Sequence, residues 1–152
     1  MILDIIITIL WSISPFGEAK VGIPFGLVNG LNKYFVFIIG FSANVLVFPL
    51  MLFFLDNVNR RLLKWTPYKK AAIKIARRAK IGSGNVIQKY GFFGLIFFVM
   101  LPIPGTGVYA GTIATYMFKI DRQRAFWANT IGIYISSVIV WTTTVLTIKG
   151  MA

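Results

Sequence analysis

The sequence predicts an all-α integral membrane protein with a single membrane domain over residues 1–152. Three observations support this fold class. The chain is 57% hydrophobic and only 13% charged, two long runs contain no charged residue, and prolines and glycines interrupt two further apolar segments. Roughly a quarter of the residues of a soluble domain are charged. Most of this chain is therefore expected to lie in lipid.

Two runs are long enough to cross a bilayer as continuous helices. Residues 34–55 and residues 125–148 contain no Asp, Glu, Lys or Arg. Each run is longer than the roughly 20 residues that a spanning helix needs. We predict that both are transmembrane helices.

A third charge-free run, residues 90–118, is interrupted by the prolines of PIPG. Proline removes a helical donor and pushes the preceding residue out of the helical region. About a dozen residues remain on each side, enough to reach roughly half of the hydrocarbon layer. This pattern predicts a re-entrant helical hairpin. Residues 1–32 repeat it, with SPFGEAKVGIP at the break. The predicted break residues are Pro15, Gly17, Pro24, Pro102, Pro104, Gly105 and Gly107.

The two broken segments and the two spanning runs form a repeat. Residues 1–55 are the first copy, residues 90–152 the second, and residues 56–89 a basic linker. Nine of the sixteen Lys and Arg residues lie between Arg60 and Lys80 of this linker. Thr66 and Pro67 predict the start of an amphipathic linker helix, with Ala72, Ile75, Ala76 and Ala79 on one face and Gly82 and Gly84 at its end. We expect this helix on the cytoplasmic surface; binding of nucleic acid is the less favoured alternative.

The distribution of basic residues also predicts the topology. Lys119, Arg122 and Arg124 precede the second spanning run. If both basic loops are cytoplasmic, the two halves have opposite orientations, and the chain is a multi-pass protein of the cytoplasmic membrane. Although the N-terminus is apolar like a signal peptide, it carries Asp4 instead of a basic segment, so we expect it in the mature fold. An inverted repeat with broken helices is a transporter architecture.

Polar residues near the breaks and inside the spanning runs are the candidate site. Glu18 is a candidate proton or substrate carboxylate, because a charged group in a membrane segment is costly and usually functional. Burial of a carboxylate favours its protonated form, which suits a proton carrier. Lys20 is its candidate partner; a structural ion pair is the alternative. Further candidates are Thr106 and Tyr109, which bind a ligand or only cap the backbone, and Asn44 and Asn129, which line a pathway or only join helices.

The residue types available argue against catalysis. The chain contains no histidine and no cysteine, and only four carboxylates. We find no nucleophile paired with a base, and therefore expect neither an enzyme, nor a cofactor, nor a metal site.

Two stretches carry a family resemblance: SPFGEAKVGIPFGLVNG at residues 14–30 and PIPGTGVYAG at residues 102–111. They resemble the family of putative small multidrug export proteins, which is similar to the DedA/VTT (SNARE-associated) superfamily. The resemblance implies two opposed re-entrant hairpins, translocation of lipids such as polyprenyl-phosphate carriers, and dependence on protons. Glu18 matches the acidic residue of the first hairpin motif. DedA proteins carry arginines around the second break, whereas this chain has none there, so Lys20 or helix N-termini would have to bind a phosphate.

The expected function is that of a small membrane transporter or lipid flippase. It would be proton-coupled through Glu18 and would move an amphipathic or anionic-headgroup substrate, such as a (polyprenyl-)phospholipid, across the cytoplasmic membrane. Export of small lipophilic drugs or cations, with Glu18 as the counter-charge, and a non-transporting membrane scaffold are the alternatives. We expect membrane lipids, a small-molecule or lipid substrate and a second copy of the chain in a homodimer as partners, but no nucleic acid.

Overall fold

The computed structural model describes residues 1–102 and 106–151, with the backbone alone described at residues 59, 60, 72, 75, 76, 78–80, 82–86 and 88. This part of the chain is helical and contains no strand. Its helices are α1 (Ile2–Ile13), α2 (Glu18–Val28), α3 (Lys33–Asn57), α4 (Asn59–Leu62), α5 (Thr66–Met100), α6 (Val108–Met117) and α7 (Arg122–Met151). The all-α prediction is confirmed.

Helices α3 and α7 have the length and hydropathy of membrane spans. Only 39% of the most apolar window of α3 and 22% of that of α7 is buried, so most of each surface faces outward. Large apolar side chains cover that surface; on α3, Leu46, Leu50 and Phe53 are each more than half exposed. Such an apolar exterior is suited to lipid.

The two spans pack as antiparallel neighbours. The rings of Phe37 and Trp141 lie 6.1 Å apart, and those of Phe48 and Phe126 lie 5.9 Å apart. From Phe37 to Phe48 along α3, the residue contacted on α7 moves back from Trp141 to Phe126, which is the order expected of an antiparallel pair. The indole of Trp141 also donates a hydrogen bond of 2.9 Å to the carbonyl of Lys33, which fixes the register at the start of α3.

Helices α1 and α2 are joined at the first break and pack closely through small residues. Ser14 is extended (φ −64°, ψ 136°), as its position before Pro15 requires. A Cβ added to Gly22 would lie 2.1 Å from Ser12 Oγ, and one added to Gly26 would lie 2.9 Å from Thr8 Oγ1. The Gly-x-x-x-Gly face of α2 therefore lets α1 approach as small residues do in membrane helix pairs.

The second break separates α5 from α6. Leu101 is extended (φ −62°, ψ 126°) before Pro102, and Gly107 is the N-cap of α6. Of the predicted break residues, Pro104 and Gly105 lie outside the described residues.

Two predicted helix interruptions are wrong. Pro24 lies inside α2 and does not end it. Helices of membrane proteins tolerate an internal proline because neighbouring helices can satisfy the backbone groups that it frees. The linker helix does not end at Gly82 and Gly84, because α5 continues to a kink at Gly91 (φ 52°, ψ −118°) and then to Met100. A glycine within a helix costs only about 1 kcal/mol, which neighbouring helix formers offset. The predicted apolar face of the linker lies outside the described side chains.

Candidate functional site

The two helix breaks meet at the carboxylate of Glu18. This residue is the first of α2 and is only 4% exposed. A Cβ added to Gly107, the N-cap of α6, would lie 1.5 Å from Glu18 Oε2. The carboxylate of the first break therefore fills the space that the missing glycine side chain leaves at the second break.

The positive charge around Glu18 comes from a lysine and from backbone amides. The backbone amides of Val108 and Tyr109, at the start of α6, interact favourably with the carboxylate. Lys20 Nζ lies 3.6 Å from Glu18 Oε2, and the Lys20 side chain is 11% exposed. The N-terminus of a helix favours an anion, so α6 and Lys20 together balance the buried charge. Among the described residues, no group of three acidic side chains could hold a metal ion.

The backbone at Glu18 is strained. Its φ is +55°, in the left-handed region that favours glycine. For another residue this conformation costs on the order of 1–3 kcal/mol, and it persists only where the surroundings enforce it. The contacts of the carboxylate with α6 are such a constraint.

Tyr109 links the two breaks a second time. Its hydroxyl donates to the carbonyl of Ile13, the last residue of α1, whose carbonyl has no partner within its own helix. Tyr109 and Ile13 also border an open apolar groove of about 230 Å³, whose other lining residues are Val47, Leu50, Met51 and Phe54. Thr106 instead donates a hydrogen bond of 3.1 Å to the carbonyl of Leu101, within the second break.

Asn44 and Asn129 lie at the same level of α3 and α7. Two ring contacts join these helices, Phe41 with Tyr134 at 5.8 Å and Phe48 with Phe126 at 5.9 Å. Asn44 lies between the two contacts on α3, and Asn129 lies between them on α7. Asn44 is 2% exposed and Asn129 is fully buried. Asn129 Nδ2 donates to the carbonyl four residues earlier in its own helix, at 2.8 Å. In the described part of the chain, neither Oδ1 atom accepts a hydrogen bond.

The structure thus brings Glu18, Lys20 and Tyr109 together and places Asn129 one helical turn away. A Cβ added to Gly111, the residue of α6 one turn after Gly107, would lie 2.3 Å from Asn129 Oδ1. Ser136 and Ser137 are further polar residues of α7 that were not predicted as part of the site; their buried hydroxyls have no hydrogen-bond partner among the described residues. Their signal was available: Ser136 follows Asn129 by seven residues, on the same face of an apolar helix.

A second polar feature lies between the end of α3 and the start of α7. Arg122 donates two hydrogen bonds to the carboxylate of Asp56, at 2.6 and 2.9 Å. The pair borders a cavity of about 570 Å³, and Lys119 beside it has a left-handed backbone (φ 50°). The other lining residues are Leu52, Thr115, Tyr116, Met117 and Ile120. Asp56 was not among the predicted site residues.

These features define the class of protein: a small helical membrane protein with two helices long and apolar enough to span a bilayer, and a charged centre buried between two helix breaks. A family model described as "Putative small multi-drug export protein" matches residues 18–139. The chain belongs to this family, as its two motifs predicted. No curated protein and no solved structure matches the chain. The similarity to the DedA/VTT superfamily stays a prediction.

Proposed function

We propose that this protein is a proton-coupled membrane transporter for an amphipathic molecule with an anionic headgroup. One observation carries the proposal. The buried carboxylate of Glu18 occupies a site made of Lys20 and the backbone amides of Val108 and Tyr109. Those donors form an anion site, and an anion of the protein itself fills it.

Protonation of Glu18 is the switch in this proposal. A protonated carboxyl no longer neutralises Lys20, and it interacts less strongly with the amides at the start of α6. An external anion can then take its place. A proton on Glu18 and an anionic headgroup beside Lys20 therefore favour each other's binding. Through this coupling, movement of protons across the membrane can drive movement of the headgroup. When Glu18 loses its proton, the carboxylate competes for the same donors and expels the headgroup.

The apolar part of the substrate would reach the site from the bilayer. The groove between Tyr109, Ile13 and α3 is lined almost entirely by apolar side chains. Its volume of about 230 Å³ holds only the first part of an acyl or prenyl chain, so the rest of the chain would stay in lipid. A flippase-like reaction, with the headgroup crossing and the tail in the membrane, fits this arrangement.

The membrane placement belongs to the same proposal. We place the two breaks near the midplane, with α1 and α2 entering from outside and with α6 and the end of α5 entering from the cytoplasm, as an inverted repeat. The ion pair between Asp56 and Arg122 supports this orientation, because it holds the end of α3 and the start of α7 on one side. The basic residues beside it favour the cytoplasmic side. A homodimer would cover the breaks more completely.

Export of lipophilic cations is the second candidate function. The family description and the apolar groove support it. In that reaction Glu18 would be the counter-charge, and an incoming cation would have to displace Lys20 from it. A scaffold that transports nothing is the third.

Reconstitution into phosphatidylcholine vesicles separates the three functions. The assays follow the transbilayer movement of a fluorescent anionic phospholipid, its zwitterionic analogue and a lipophilic cation, together with internal pH. We expect faster movement of the anionic lipid with a pH change in the wild type, and neither in the Glu18→Gln variant. Asp121→Asn is the matched control, because asparagine can still accept the hydrogen bond from the Arg124 amide at the start of α7. Movement of the cation alone would favour the second function, and no Glu18-dependent movement would favour the scaffold.

A further inference from the structure

We infer that one face of α6 lines a hydrated passage from Glu18 to the cavity beside Asp56 and Arg122. The inference rests on the proposed function, because it supplies the route by which the buried carboxylate exchanges protons with water. Its features are two buried oxygens without hydrogen-bond partners, a row of small residues on α6, and a cavity at the end of that row.

The two oxygens face successive turns of the same helix. Glu18 Oε2 lies against Gly107, and Asn129 Oδ1 lies against Gly111. Both atoms are buried, and neither accepts a hydrogen bond from any residue that the structure describes. Buried polar atoms are nearly always satisfied by protein or by ordered water. Glu18 Oε2 has the ammonium of Lys20 3.6 Å away, whereas Asn129 Oδ1 has no hydrogen-bond partner among the described residues, so Asn129 marks a position for a water molecule. Residues four apart in a helix lie on one face, about 6 Å apart along the axis.

The next residue on that face reaches the cavity. Thr115 follows Gly111 by four residues and is itself buried, and it lines the cavity of about 570 Å³. Its hydroxyl donates to the carbonyl of Gly111 at 2.8 Å, which leaves its oxygen able to accept a hydrogen bond from water. Gly107, Gly111 and Thr115 thus cover roughly 12 Å of helix axis between the carboxylate and the cavity.

The ion pair of Asp56 and Arg122 is placed to close the passage. It connects α3 to α7 across the border of the cavity, with two hydrogen bonds. The side chains are partly exposed, at 26% for Asp56 and 65% for Arg122. An exposed pair contributes little to stability, so it can open without unfolding its surroundings. We assign it the role of a gate between the passage and the aqueous phase on that side.

Thiol labelling tests the passage without any substrate. The chain contains no cysteine, so each variant has a single thiol. A charged, membrane-impermeant thiol reagent is applied to intact cells and to inverted membrane vesicles carrying Thr115→Cys or Asn129→Cys. Thr8→Cys is the matched control, because Thr8 is equally buried and donates to the carbonyl four residues earlier, but lies between α1 and α2. Arg124→Cys, at an exposed position two residues after Arg122 of the cavity lining, identifies the side from which labelling occurs.

We expect Thr115→Cys and Asn129→Cys to label at least about tenfold faster than Thr8→Cys, and from the side that labels Arg124→Cys, because a closed interior reacts only through rare local opening. Adding Asp56→Asn should raise the labelling rate of Thr115→Cys further, whereas adding Asp121→Asn should not. Rates equal to that of Thr8→Cys, with all thiols reactive after denaturation, would overturn the passage. If Asn129→Cys does not insert, the comparison of Thr115→Cys with Thr8→Cys decides.

The labelling result and the transport result are independent. Fast labelling without movement of any tested lipid would refute the proposed function and keep the passage. Lipid movement with slow labelling would support the proposed function and overturn the passage. An Asp56→Asn variant that leaves labelling unchanged would remove the gate from the inference.

Discussion

The contact between Gly107 and Glu18 makes a sharp prediction. A Cβ at position 107 would lie 1.5, 2.2 and 2.4 Å from Oε2, Cδ and Oε1 of Glu18. No rotation of the new methyl group relieves distances this short, so Gly107→Ala must push the carboxylate out of the site. The carboxylate then loses its favourable interaction with the amides of Val108 and Tyr109.

The cost follows from the kind of interaction lost. A hydrogen bond to a charged group contributes about 1.5–3 kcal/mol, and part of this is recovered if the displaced carboxylate reaches water. We therefore expect Gly107→Ala to destabilise the protein by about 2–4 kcal/mol, which lowers the melting temperature of a chain of this size by roughly 10 °C. Gly150→Ala is the control, because nothing lies within 4 Å of a Cβ at that position.

The assay is thermal unfolding in detergent, followed by size-exclusion chromatography, in a double-mutant cycle with Glu18→Ala. The three atoms nearest to the new Cβ all belong to Glu18. Gly107→Ala should therefore cost almost nothing in the Glu18→Ala background, with a coupling energy close to the whole single-mutant cost. An equal cost in both backgrounds would refute the reasoning, because the clash would then involve the α6 backbone and not the carboxylate.

Three further predictions use the same thermal assay. Lys20→Met leaves the buried carboxylate of Glu18 without its cation and should cost about 3–5 kcal/mol, most of which the added Glu18→Gln change should restore; no recovery would contradict the ion pair. Gly22→Ala would place a Cβ 2.7 Å from a backbone oxygen of α1, so α1 and α2 must separate at a cost of about 1–3 kcal/mol, whereas an unchanged melting temperature would show that the hairpin is loose. Tyr109→Phe removes the donor to the carbonyl of Ile13 and should cost about 1 kcal/mol; a loss of transport with no loss of stability would instead assign the hydroxyl to the substrate.

Much of this fold could be predicted from the sequence because the bilayer restricts the choices. Long charge-free runs must become helices, and they do so in α3 and α7. Ser14 and Leu101 are extended because a proline follows each of them. Pro24 shows the limit of such rules, because only the packing around a helix decides whether a proline ends it or is accommodated within it.

The candidate site could be predicted only in part. A charged residue beside a break in an apolar segment identifies Glu18, and Lys20 two residues later is its obvious partner. The sequence does not contain the distance between the two breaks, so the role of the Val108 amide and the fit of the carboxylate against Gly107 became visible only in three dimensions. Asp56 and Arg122 are 66 residues apart in sequence, and only the antiparallel packing of α3 and α7 explains why they pair.

The conformation of Glu18 explains why SPFGEAKVGIP places a carboxylate at a helix start. An acidic residue in the first turn is ordinarily stabilised by the N-terminus of its own helix. Here the left-handed backbone of Glu18 accompanies a side chain that reaches the N-terminus of α6 instead. The contact of the Glu18 carboxylate with the start of α6 joins the two halves of the chain and offsets the strain of the Glu18 backbone. This contact depends on the charge of one carboxylate. Neutralising Glu18 weakens the attraction while the strain remains, so both effects favour the same movement of α2 away from α6. In the proposed function, protonation of this residue would therefore change the position of α2 relative to α6, which a carboxylate held by its own helix could not do.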